Sequence, residues 1–97
     1  DGIVFVADSN AIRLDDNIVS FEMMEGNLES YGVDWHRFPI ALQYNKRDCP
    51  DPLPLGSLEN ELDLNGIPVY EAVAIRGAGV METIRGLSRM VIEQFRF

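Results

Sequence analysis

Three short apolar runs, each followed by a polar turn and then by a stripe of apolar residues at helical spacing, restrict this chain to a narrow set of folds. Ile3-Val4-Phe5-Val6-Ala7 is continuous and mostly β-branched or aromatic, the pattern of a strand buried on both faces by helices rather than a half-exposed antiparallel strand. It ends at the polar turn Asp8-Ser9-Asn10. From Asp16, the apolar residues Ile18, Phe21, Met24, Leu28 and Tyr31 recur at helical spacing, with Glu22, Glu25 and Glu29 on other faces and Gly32 as the stop, which predicts a helix over Asp16 to Tyr31. Pro39 opens a second strand, Ile40-Ala41-Leu42-Gln43-Tyr44, running into Asn45-Lys46-Arg47-Asp48 and the proline-rich loop Cys49 to Pro54. Leu55, Leu58 and Leu62 suggest a short helix. After a turn at Asn65-Gly66 a third strand, Val69 to Ala74, precedes a glycine turn at Gly77 and Gly79, and Val80, Ile84, Leu87, Val91 and Phe95 stripe a last helix.

Strand, helix, strand, short helix, strand, helix is the alternation of a parallel α/β sheet with right-handed crossovers. Ligands of such sheets collect beyond the carboxyl ends of the strands, so the residues just after Ala7, Tyr44 and Ala74 border the expected site. The first strand begins almost at residue one, and a complete parallel domain seldom leaves such an edge bare, so a further element upstream is expected. Composition narrows the function classes. Sixteen acidic against eight basic residues give a formal charge of -8 over 97 residues, the wrong sign for neutralising nucleic-acid phosphates or anionic lipid. No run approaches the roughly 20 apolar residues of a membrane span, which predicts a soluble chain without a stable membrane anchor. The single cysteine, Cys49, cannot form an internal disulfide or a metal cluster, consistent with a cytoplasmic setting.

The chemistry concentrates at the end of the second strand. Asn45-Lys46-Arg47-Asp48, directly after that strand, resembles the Asn-Lys-x-Asp guanine motif of Ras-like and Arf-like GTPases, and the residue types fit that implication: an ionised Asp48 can accept two parallel hydrogen bonds from the ring N–H and exocyclic amine of guanine, an arrangement adenine cannot return. A good bidentate base contact gives about 1–3 kcal/mol of discrimination. Lys46 can lay its stem along a purine face, and Asn45, carrying donor and acceptor on one amide, can tie its loop to neighbouring backbone as well as touch the base. In that family the segment commonly written Ser-Ala-Lys offers a backbone N–H to the guanine carbonyl oxygen; Ala74, 29 positions after Asn45, stands at its alanine. Val73 replaces the usual serine and Ile75 the usual lysine, which removes a side-chain brace to Asp48 and a contact to the base ring.

Taken in order, Val-Phe-Val-Ala-Asp-Ser, Asn-Lys-Arg-Asp-x-Pro-Asp, Glu-Ala-Val-Ala and Gly-x-Gly-Val resemble the bacterial gliding-motility (MglA-type) GTPases over essentially the whole chain. The resemblance implies a P-loop NTPase-like, Ras-like fold of three layers, represented by its carboxyl-terminal three parallel strands and flanking helices. It further implies a switch cycling between GTP and GDP in motility or polarity, a Roadblock-type activating partner, and guanine-nucleotide binding by Asn45, Lys46, Asp48 and Ala74. The phosphate cradle Gly-x-x-x-x-Gly-Lys-Ser/Thr is not in these 97 residues, and the resemblance places the Mg²⁺-reaching threonine and the Asp-x-x-Gly segment that lies near the γ-phosphate upstream of the first strand as well. No catalytic or metal-ligating residue is therefore expected here, and Mg²⁺ is expected only in the intact parent.

Plainer readings attach to the remaining residues. His36, in Trp35-His36-Arg37-Phe38, reads as a surface histidine, Cys49 as a small loop residue, and Asp8 as a turn or helix-entry residue. Met23, Met24, Met81 and Met90 read as core filler, and Gly77-Ala78-Gly79 as a flexible link into a helix. The rival to a GTPase is a non-enzymatic scaffold that keeps the fold and holds a partner by its sheet edge or acidic helices; the bare edge would also favour self-association.

Overall fold

β1 (Ile3–Asp8) pairs in parallel with β2 (Ile40–Asn45), and β2 in parallel with β3 (Val69–Glu71), giving the strand order β1-β2-β3. The computed structural model describes residues 2–64 and 66–94. Three helices, α1 (Leu14–Ser30), α2 (Ser57–Leu62) and α3 (Val80–Gln94), flank the sheet, which is the α/β arrangement the sequence predicts. Asn65 of the expected turn and Phe95 of the expected last stripe lie outside the described residues.

β2 occupies the centre because every residue from Ile40 to Tyr44 is suited to burial on both faces, and all five are buried. Helices α1 and α2 cover one face, where Ala7, Leu42, Tyr44, Leu53 and Leu58 form a core continued by Phe21, Trp35, Ile40 and Leu64. Phe21 packs its ring edge-on to both Phe5 (centroids 5.0 Å apart) and Trp35 (5.6 Å), the geometry the ring quadrupole favours. Helix α3 covers the opposite face. There the buried Gln43 donates from Nε2 to Thr83 Oγ1 at 2.8 Å, so a polar pair inside the protein is satisfied. Gly86 brings α3 close, because a β-carbon at that position would overlap the Tyr70 hydroxyl.

Several expectations need correction. β1 is not buried on both faces: only Ala7 is fully buried and Val6 is 53% exposed. Among the described residues β1 pairs with β2 alone, so the strand sits at an edge of the sheet, in line with the bare edge expected of it. The helix predicted from Asp16 starts at Leu14, preceded by a turn of 3-10 helix (Ala11–Arg13) that Asn10 caps through its side chain. Tyr31 follows α1 and is exposed, as is Leu55 ahead of α2. Met23 and Met81 are more than half exposed, so only Met24 and Met90 fill partly buried positions.

The third strand is shorter than its apolar run. Past Glu71 the chain leaves the sheet: Val73 bridges to Ala78, and Ala74–Arg76 coil into a 3-10 turn. Gly79, at φ +79°, lies against the Glu71 carbonyl oxygen and Ala72, leaving no space for a β-carbon. This tight return, rather than a flexible link, presents Ala74 on a turn at the carboxyl end of the sheet.

Candidate functional site

The parallel register brings the ends of the strands together. Asp8 is level with Asn45 across β1 and β2, and Tyr44 is level with Glu71 across β2 and β3. The turns that follow β2 and β3 therefore face one another beyond the sheet. Asn45, Lys46, Asp48, Val73, Ala74 and Ile75 line a cleft of about 280 Å³ between them. All four residues singled out in the sequence for nucleotide binding lie on this one cleft.

Lys46 is the pivot of the first turn. Its backbone adopts φ +59°, a left-handed conformation that a non-glycine residue takes at a cost of roughly 1–2 kcal/mol. The turn closes with the Cys49 N–H donating to the Lys46 carbonyl at 3.0 Å. Lys46 Nζ reaches Asp8 Oδ2 at 3.1 Å, which anchors the ammonium beside β1 while the stem borders the cleft. Asp8 is itself fixed. The Asn10 N–H donates to its Oδ1 at 3.0 Å, and the Asn17 side chain brackets its backbone, accepting from Asp8 N at 3.1 Å and donating to Asp8 O at 2.9 Å. The Asn10 N–H, with the Lys46 ammonium, holds the Asp8 carboxyl below its ordinary value of 3.8, although burial opposes the shift. Asp8 is thus more than the turn residue its sequence context suggests.

Asn45 joins the two walls. Its Oδ1 accepts from the Ala74 N–H at 2.8 Å, the tie to neighbouring backbone that an amide at this position allows. The same bond bears on the role that the resemblance implies for Ala74. The Ala74 N–H is not pointing free into the cleft, and a ligand carbonyl would have to share it with Asn45 or displace the amide.

Asp48 is differently placed. Among the described residues its carboxylate accepts no hydrogen bond, and its nearest charge is Arg76, with Oδ2 3.8 Å from the guanidinium. A half-exposed pair at that distance holds the carboxylate weakly. Arg76 stands one position beyond Ile75 and replaces, at long range, the brace that Val73 cannot supply. Asp48 lines the cleft with carboxylate oxygens that accept no hydrogen bond from the described residues, and two such acceptors are what a ligand presenting two adjacent N–H groups would use.

The other candidates fall elsewhere. His36 is on the surface, its ring stacked on Trp35 (centroids 3.9 Å apart) and its Nδ1 3.2 Å from Asp34. Cys49 is half-buried in the loop after Asp48. Among the described residues no group of three or more His, Cys, Asp or Glu side chains could hold a metal ion, and no helix is long and apolar enough to cross a membrane.

No protein-family model matches the chain. Its sequence is 38% identical over 96 residues to the mutual gliding-motility protein MglA of Myxococcus xanthus (strain DK1622), a match covering 99% of this chain and 49% of that protein. By this likeness the chain is similar to the MglA-type proteins. It spans about half the length of the relative it matches.

Proposed function

We propose that the chain carries the guanine-recognition half of an MglA-type small GTPase, the carboxyl-terminal part of a switch that binds GTP and GDP and acts in bacterial motility. The supporting observation is the meeting of Asn45, Lys46, Asp48 and Ala74, from two turns 29 positions apart, on one cleft at the carboxyl end of a parallel sheet. Asp48 would read the two N–H groups on one edge of guanine. Lys46, anchored by Asp8, would hold its stem against the purine face. Asn45 would set the separation of the walls through Ala74. A bound GTP, with Mg²⁺ held by the remainder of the full-length parent, supplies the phosphoryl group for hydrolysis, while these residues bind and orient the base. A Roadblock-type activating protein is the proposed partner, and the cytoplasm the proposed site of action.

Isothermal titration of the full-length parent is expected to give GDP binding at least about a hundredfold tighter than ADP, the combined effect of a bidentate contact and an unmatched adenine edge. Equal affinities would remove the proposal. A second reading, a scaffold that keeps the fold without using nucleotide, draws on the occupied Ala74 N–H and the Arg76 contact to Asp48. It predicts no measurable heat with either nucleotide.

A further inference from the structure

The motif that lines the cleft has a position open to any residue, and Arg47 fills it. Its neighbours Lys46 and Asp48 have exposed or half-exposed side chains, yet the Arg47 side chain is only 18% exposed. It is turned inwards, under the cleft rather than into it. Nε donates to Glu71 Oε1 at 3.1 Å, at the end of β3, and Nη1 donates to the Leu53 carbonyl at 2.6 Å, in the loop leading to α2. The guanidinium carbon lies 5.7 Å from the centroid of the Tyr44 ring, which belongs to β2 and is completely buried. The backbone N–H of Arg47 donates to the Ala72 carbonyl at 3.1 Å, so main chain and side chain both cross to the opposite wall. One residue thereby fastens β2, β3 and the loop Cys49–Pro54 together immediately beside Asp48.

We infer that Arg47 is a positioning residue for base selection: by clamping Glu71, Leu53 and Tyr44 it fixes the turn that carries Asp48 relative to the turn that carries Ala74. This deepens the guanine reading above and rests on it. The planar fork of arginine suits the task, since two donors in fixed relation reach a carboxylate and a carbonyl on different segments. Lysine, a single flexible point charge, can satisfy one of them at a time. The aspartate itself lacks a firm brace, because Val73 has no polar group and Arg76 stands 3.8 Å away, so the constraint on its position comes through the backbone from the residue before it.

Inosine diphosphate lacks the exocyclic amine that Asp48 would read, so the ratio of GDP to IDP affinity measures how well that carboxylate is aimed. In the full-length parent, Arg47→Ala is expected to lower this ratio about threefold or more, the scale of coupling between residues in contact. Arg47→Lys is expected to lower it by less, and Glu71→Gln to move it in the same direction. A variant in which both affinities fall by the same factor, or in which only the melting temperature moves, would reduce Arg47 to a structural staple and overturn the inference. If Arg47→Ala does not fold, Arg47→Lys and the exposed Glu71→Gln carry the test, and an unchanged ratio in both overturns it. A wild-type ratio near one has a different meaning: the aspartate reading has then failed, and the clamp with it. A high wild-type ratio that the variants leave intact sinks the clamp alone.

Discussion

The two walls of the cleft are built from unlike material. The wall that follows β2 grows out of the interior. Tyr44, the last residue before Asn45, is completely buried, its hydroxyl donating to Glu59 and accepting from the Leu58 N–H at 3.0 Å, and Arg47 is folded back beneath it. The wall that follows β3 is laid on the surface. Its strand has three residues, Ala74 and Arg76 are exposed, and Ile75 is 93% exposed. It is held by the Val73–Ala78 bridge, the tight approach of Gly79 and the bond from Ala74 to Asn45. The contrast is one of anchorage: the residues proposed to identify the base are rooted in the core, and those proposed to cover it sit on an exposed turn held by a few local contacts.

Substitutions on the two walls should therefore have unequal costs. Tyr44→Ala should show the largest effect, about 3–5 kcal/mol of lost stability by urea denaturation of the full-length parent, because it empties a core site and strands the Leu58 N–H and the Glu59 carboxyl. A loss under about 1 kcal/mol would mean the first wall is not anchored in the core. A smaller effect is expected from alkaline pH. Burial, followed by the bond to Glu59, pushes the Tyr44 hydroxyl from 10.0 up to about 12. The folded protein thus favours the protonated phenol, so this contribution, on the order of 2–3 kcal/mol, is complete below pH 10 and disappears as pH rises towards 12. The stability of wild type should fall relative to that of Tyr44→Phe over that window, and parallel curves would contradict the assignment. Ile75→Ala, on the second wall, should change stability by less than about 0.5 kcal/mol, as surface substitutions do. A larger loss would show that this turn is packed into the protein rather than laid on its surface.

The elements and the position of the cleft were readable from apolar periodicity and from turn chemistry at strand ends, and Asn45, Lys46, Asp48 and Ala74 do converge. What escaped has a common cause: it depends on contacts between distant segments. Asp8 becomes the anchor of Lys46, 38 positions away, only when β1 and β2 lie in register with Asp8 beside Asn45. Arg47 occupies the position the motif leaves open, and only the fold surrounds it with Tyr44, Leu53 and Glu71. The apolar run of β1 could not reveal that Val6 is exposed, because periodicity reports what a strand can bury and not whether anything is there to cover it. The third strand ended early for a similar reason, since Ala72, Val73 and Ala74 suit a strand, but Gly79 returns against Glu71 and ends the pairing.

The central claim is that the carboxylate of Asp48 selects the base, and exchanging its chemistry tests this most directly. Xanthine carries a second carbonyl where guanine carries an amine, and an amide at position 48 can donate to it. In the full-length parent, Asp48→Asn should therefore lose affinity for GDP and gain it for xanthosine diphosphate, inverting the preference between the two while the melting temperature stays near that of wild type. An Asp48→Asn protein that folds normally and still prefers GDP would contradict the account.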